Sequence, residues 1–159
     1  MSKQPASETP ITGREALGEL REPPEALAQF YRAFNGRDLT LMAENWADSD
    51  YVVMDNPLGG IKRGWPEIRA VYERIFQGPA RVQVEFYDFT LHVFGEVFYA
   101  VGRERGTHEA PEARLDLEIR TTRVFRRIDG RWRQVHHHGS IDKPALLGAY
   151  QRAVQGPAA

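Results

Sequence analysis

The hydrophobic pattern changes period once, near residue 80, and that change narrows the possible folds more than any other feature of the chain. Before it, apolar side chains recur at helical spacing; after it, they alternate. Leu27, Phe30, Tyr31 and Phe34 form one helical stripe, which Asn35–Gly36 ends by accepting left-handed geometry. Asp38 is placed to cap a second helix carrying Leu41, Met42 and Trp46. Residues 50–55 predict a short strand, followed by a turn over Asn56–Gly60. Pro66 opens a third helix, with Ile68, Val71, Tyr72, Ile75 and Phe76 on one side. From there the chain predicts strands over 81–94, 96–107, 114–128 and 131–140, with a bend near Tyr87–Asp88. Asp129–Gly130 signals a hairpin, and a last helix is expected after Pro144. Helices first and neighbouring antiparallel strands second mean an α+β fold: a curved, cone-shaped antiparallel sheet covered by N-terminal helices. Such a cone leaves a cavity for a small molecule.

The 159 residues suit one domain, preceded by an arm. We delimit the arm as 1–22 and the domain as 23–159. The first ten residues are polar and expected to be mobile. Thr12 and Glu15 have capping-box spacing, which predicts a short helix over 13–21. There are no cysteines, so disulfides, thiolate metal sites and a cysteine nucleophile are excluded. The 21 basic and 22 acidic residues give a net charge of -1, which argues against a nucleic-acid partner. No apolar stretch has the length of a membrane span, and the polar start lacks a secretory core, so a cytoplasmic protein is expected.

Within the strand region, Leu115, Leu117, Ile119, Thr121, Arg123 and Phe125 share one face. Val97, Tyr99, Val101 and Arg103 read the same way. A guanidinium is not buried without a partner, so two of them on core-facing strands predict a pocket with a cationic lining. Its planar fork suits a carboxylate or phosphate. The alternative is a structural ion pair with Asp55, Glu104 or Glu118. Tyr31, Met42, Trp46, Ile68 and Tyr72, from the covering helices, are the expected apolar walls.

The run His136–His137–His138 admits two registers. A two-residue turn pairs Arg123 with His136; a three-residue turn with a glycine bulge pairs it with Val135 and turns His137 inward. His136 and His138 share a face, and a carboxylate would complete a metal site. With no such partner identified in sequence, neither metal nor cofactor is expected. Glycine-rich phosphate loops, dinucleotide fingerprints and serine-nucleophile elbows are absent.

The segment "FYRAFNGRDLTLMAENWADSDYVVMDNPLGGIKRGWPEIRAVYERIF" and the final "TTRVFRRIDGRWRQVHHHGS" resemble the nuclear-transport-factor-2-like superfamily. The pattern is most similar to its SnoaL-like branch and to the association domain of calcium/calmodulin-dependent protein kinase II. This resemblance implies a conical barrel, a deep pocket and a homodimer or larger assembly. It also implies pocket arginines that bind small carboxylates; Arg103 and Arg123 match two such positions, and Gly139 replaces a third. It favours the register with His137 in the pocket. In ketosteroid isomerases of the same superfamily, the catalytic aspartate immediately precedes the proline of the turn. That position is Asn56 here, leaving Asp55, one residue earlier, as the candidate base. Their tyrosine corresponds to Phe30, with Tyr31 displaced by one. The expected function is therefore binding of a small organic anion by Arg103, Arg123 and His137. An isomerase, cyclase or dehydratase and an oligomeric scaffold are the alternatives.

Overall fold

The computed structural model describes residues 3–155; the first two residues of the arm and the last four of the domain delimited above lie outside the described residues. Helices α1 (Pro23–Asn35), α2 (Leu39–Asn45) and α3 (Trp65–Gln77) come early, with the short strands β1 (Val53–Asp55) and β2 (Lys62–Arg63) between α2 and α3. Four long strands follow: β3 (Arg81–Phe94), β4 (Val97–Ala110), β5 (Ala113–Ile128) and β6 (Arg131–Ser140), then helix α4 (Pro144–Gln155). The strands form one curved sheet in the order β2-β1-β6-β5-β4-β3. This is the α+β architecture expected from the change of period, with β2 as an unforeseen addition.

Local chemistry explains the element ends. Asp38 accepts a hydrogen bond from Leu41 N at 2.9 Å and starts α2. At the end of α1 the left-handed residue is Arg37 (φ 52°), whereas Gly36 stays right-handed (φ -87°). Asp129 and Gly130 both adopt positive φ, 52° and 78°, as a two-residue turn joining Ile128 to Arg131 requires. Asp88 (φ 50°) marks the bulge in β3, where the register shifts between Tyr87 and Thr90.

One face of the sheet packs under the helices. Phe86, Phe98, Phe125 and Trp132 are fully buried there, with the Phe98 and Phe125 rings stacked 4.6 Å apart. Each such side chain contributes roughly 1.5–3 kcal/mol through burial. The outer face carries Val97, Val101 and Phe94 exposed to solvent. Hence the inward residues of β4 are Phe98, Ala100 and Glu104, and the row Val97, Tyr99, Val101, Arg103 points outward. This corrects the expected facing of Arg103. Both rows are apolar at their start, so alternation alone does not orient the strand.

The arm also departs from expectation. Glu15 accepts hydrogen bonds from Thr12 N and Gly13 N, yet no helix follows over 13–21, because Gly13, Gly18 and Leu20 take positive φ. From Ser7 onward the arm lies along the outer edge of the sheet. Ser7 N donates to Phe89 O, and Ile11 exchanges two backbone hydrogen bonds with Phe86 at 2.8 and 2.9 Å. Covering β3 in this way shields an edge that would otherwise pair with other chains.

Gly102 faces the β3 bulge. A Cβ there would lie 2.5 Å from Phe89 Cβ and 2.9 Å from Phe86 Cε2. We expect Gly102→Ala to lower stability by about 1–3 kcal/mol, measured by urea unfolding, because the stacked pair Phe86–Phe89 has no room to yield.

Candidate functional site

Strand β5 places Arg123 at the centre of the sheet, 1% exposed. Its neighbours satisfy it from three elements. Nε donates to the Tyr31 hydroxyl of α1 at 3.2 Å, and Nη1 donates to Gln134 Oε1 of β6 at 2.8 Å. Nη2 lies 3.4 Å from Glu104 Oε1 of β4. The guanidinium carbon sits 3.5 Å from the centre of the Phe30 ring, a desolvated cation–π contact. Gln134 is held in turn by Asn45, which reaches Ala26 O and Gln29 of α1. Burial pulls the Arg123 pKa down, but Tyr31 and Glu104 outweigh it, so the group remains a cation. Glu104 also accepts from the Thr121 hydroxyl. The ion-pair alternative weighed from sequence is thus realised, with Glu104 as the partner.

Beside this pair lies a cavity of about 50 Å³. Phe30, Tyr72, Ile119, His137, Glu104 and Arg123 line it, and the Asn56–Leu58 turn and Tyr150 of α4 complete its wall. Its volume is that of one or two water molecules, at roughly 30 Å³ each. His137 is buried, and neither of its ring nitrogens has a hydrogen-bond partner. Burial, and then the neighbouring positive charges led by Arg123, hold its pKa well below the ordinary value, so the ring is neutral. Burial pushes the Tyr72 hydroxyl up to about 12, so it stays protonated. Tyr31 is raised further by the same cause.

His137 reaches the cavity by a route that neither register anticipated. The turn has two residues, as in the first, so Phe125 pairs with Gln134. Val135 is then an extra residue in β6, and beyond it Arg123 pairs with His137. The inward facing matches the second register, through a bulge away from the turn.

Of the residues proposed from sequence, Arg123, His137 and Tyr72 meet in this cavity. Tyr31 stands behind Arg123 as its hydrogen-bond partner. Met42, Trp46 and Ile68 are fully buried between helices and sheet and do not line it. Helical periodicity identifies a buried face but not which part of that face meets a void. Arg103 is on the opposite side of the sheet, 3.3 Å from Asp88. Asp55 is also on that outer side, since the inward residue of β1 is Met54, which pairs with His137. Neither corrected residue reaches the cavity. The residues missed are Gln134, which accepts from Arg123, and Tyr150, which closes the cavity; Glu104 is one of the three ion-pair partners weighed from sequence.

A larger, open groove of about 740 Å³ runs between the arm, the end of α1 and strands β3–β5. Its polar groups satisfy one another: Arg32 donates to Gly13 O at 2.8 Å, and Arg105 pairs with Glu85 at 2.7 Å. Unmet hydrogen-bonding capacity points instead to the small cavity.

Removing one member of a buried pair strands the other charge. Arg123→Met or Glu104→Met alone should cost about 3–5 kcal/mol in urea unfolding, and the double variant should recover much of that loss.

A SnoaL-like domain profile matches residues 24–144. Among solved structures, the chain is similar to a proposed dehydratase of the nuclear transport factor 2-like family from Streptomyces avermitilis. The TM-score is 0.67 at 22% identity, covering 72% of this chain and 90% of that one. It is also similar to a proposed calcium/calmodulin-dependent protein kinase type II association domain from Thiobacillus denitrificans, with TM-score 0.61 at 27% identity over 74% and 93% of the two chains. A curated relative is the F-box protein SKIP8 of Arabidopsis thaliana, 23% identical over 137 residues, which are 84% of this chain and 55% of the relative. The chain therefore spans about half the length of that relative. Among the described residues, no helix is long and apolar enough to cross a membrane. With the profile spanning most of its length and the cavity lying where helices meet a curved sheet, the chain belongs to the SnoaL-like family.

Proposed function

We propose that the protein binds a small organic acid, or a carbonyl compound of the same shape, in the cavity between Arg123, His137 and Tyr72. The observation that carries this reading is His137. A buried imidazole with both nitrogens unpaired costs free energy unless something polar enters the cavity to meet it. A carboxyl or carbonyl oxygen answers the ring N–H, and Phe30, Ile119 and Tyr72 supply apolar walls for the carbon skeleton. Glu104 already balances Arg123, so the guest need not be ionised, and the site is less anion-selective than two free arginines would be. Binding is favoured over isomerase-type chemistry by the outward facing of Asp55, which removes the candidate base from the cavity.

The cavity holds only a few heavy atoms, so a larger guest requires one wall to move. Helix α4 is the natural choice. Side-chain hydrogen bonds from Gln151 to Pro57 O (3.3 Å) and from Gln155 to Leu58 O (2.7 Å) join it to the turn, and Tyr150 seals the space.

We further propose a homodimer formed through the outer face of β3–β5. Phe94 is 65% exposed and Val101 43%, beside Tyr99 and Val124. An apolar patch of this kind on a sheet calls for a cover, and a second copy fits because the similar association domain is named for assembly.

A thermal-shift screen of small carboxylic acids, with matched amides and ketones, tests the binding reading. A ligand at a hundred times its Kd stabilises by about 2.7 kcal/mol. That stabilisation should vanish in His137→Phe and increase at equal ligand concentration in Tyr150→Ala. Equal responses in wild type and His137→Phe for every compound would defeat the reading. Light scattering should give the mass of two chains for wild type and of one for Val101→Glu.

A further inference from the structure

We propose that Asp55, His136 and His138 form a zinc site on the outer face of the sheet, separate from the cavity. Strands β1 and β6 run parallel, with Val53 paired to His136 and Asp55 to His138. Alternation then sends Met54 and His137 inward and leaves these three side chains together on the other side. One ligand atom from each lies within 4.8 Å of the other two. The separations are 2.7 Å from His138 Nδ1 to Asp55 Oδ2 and 3.8 Å from His136 Nε2 to Asp55 Oδ1. Ligand atoms around a tetrahedral zinc stand about 3.3 Å apart, given bonds of about 2.0–2.1 Å. The two measured separations bracket that spacing.

Two details separate this cluster from an ordinary surface ion pair. First, His136 Nδ1 is 2.8 Å from Val53 O, and a carbonyl only accepts, so Nδ1 carries the proton. In the neutral ring Nε2 is then a lone pair directed at the carboxylate. A hydrogen bond from the remote ring nitrogen to a backbone carbonyl is also how metal-binding histidines are oriented. Second, Asp55 Oδ1 is buried and has no hydrogen-bond partner. The contact with His138 satisfies Oδ2 alone. Two acceptors, Asp55 Oδ1 and His136 Nε2, are left facing each other. A cation between them bonds to both.

The donor set selects the metal. Two imidazoles and one carboxylate suit zinc, whereas magnesium and calcium prefer oxygen alone. The side chains of His136, His138 and Asp55 are 36%, 55% and 29% exposed, so an ion enters freely and water fills its remaining coordination. Bound zinc would clip the three-residue strand β1 to β6. Because β1 leads into the Asn56–Leu58 turn, it would also steady one wall of the cavity. His136 is paired with Val124, so the site borders the apolar patch on β3–β5, and its other two members, Asp55 and His138, lie on the side away from β3 and β4.

The test uses untagged full-length protein, freed of metal with a chelator and titrated with zinc chloride in a calorimeter. We expect saturable binding of one zinc per chain, a melting temperature that rises with zinc, and visible d–d absorption on loading with cobalt(II). Asp55→Asn, which keeps the side-chain shape, and His138→Ala should each weaken zinc by more than about a hundredfold, beyond the loss typical of an outer-shell change. His92→Ala, which removes another histidine of the outer face, should bind as wild type does, and magnesium should not compete. Absence of binding, or equal zinc uptake by wild type and His138→Ala with both folded by circular dichroism, would overturn the proposal. So would displacement of zinc by an equal concentration of magnesium.

Discussion

A guanidinium held out of water is the constraint around which this fold is organised. Arg123 is held out of water because β4 supplies Glu104, β6 supplies Gln134, and α1 supplies the Tyr31 hydroxyl and the Phe30 ring. Those partners come from segments far apart in sequence, so the charge is satisfied only once sheet and helix have assembled. The cost of burying it unpaired is a penalty on any other arrangement of the same elements. Specificity is the natural benefit of such a pair, whose contribution to net stability is small. The chain from Gln134 through Asn45 to Gln29 extends the same effect to α2 and the middle of α1.

Much of this arrangement was legible in the sequence. Helix stripes, the Asp38 cap, the Asp129–Gly130 turn and the four long strands are all local patterns, and local patterns survive assembly. Arg123 was read as inward because its row, from Leu115 to Phe125, is apolar on one side only. Arg103 was misread because β4 is apolar on both rows at its start: Phe98 and Ala100 pack against the helices, while Val97, Tyr99 and Val101 face outward. The pairing that decides between them, Ala100 opposite Arg123, is set by the tight connection at Pro111–Glu112, which alternation does not encode. Glu104 stood among three candidate partners, and which of them is buried beside the cation is recognisable only after the strands are paired. The parallel pairing of β1 with β6 was equally invisible, and with it the meeting of Asp55 with two histidines 80 or so residues away. A three-residue strand carries too little pattern to reveal its neighbour.

The sheet therefore separates two kinds of chemistry. Inside, a balanced ion pair and a neutral imidazole border a space of about 50 Å³, where an unpaired polar atom is costly. Outside, the groups are partly solvated and their geometry follows from strand register rather than close packing. Membership of the SnoaL-like family accounts for the scaffold but decides neither chemistry, because unrelated functions share such frameworks. The particular side chains on each face are what distinguish this protein from its structural neighbours.

The extra residue at Val135 links the two faces. Alternation divides three adjacent histidines between interior and exterior, and that single insertion decides which of them faces inward. Lose it, and the polarity of the strand inverts: the lone inner imidazole would turn to solvent while its two flanking rings would be driven under the helices. One codon in one strand thus acts as a switch between two different molecules, and lineages that gained or lost it would be expected to differ in kind rather than in degree.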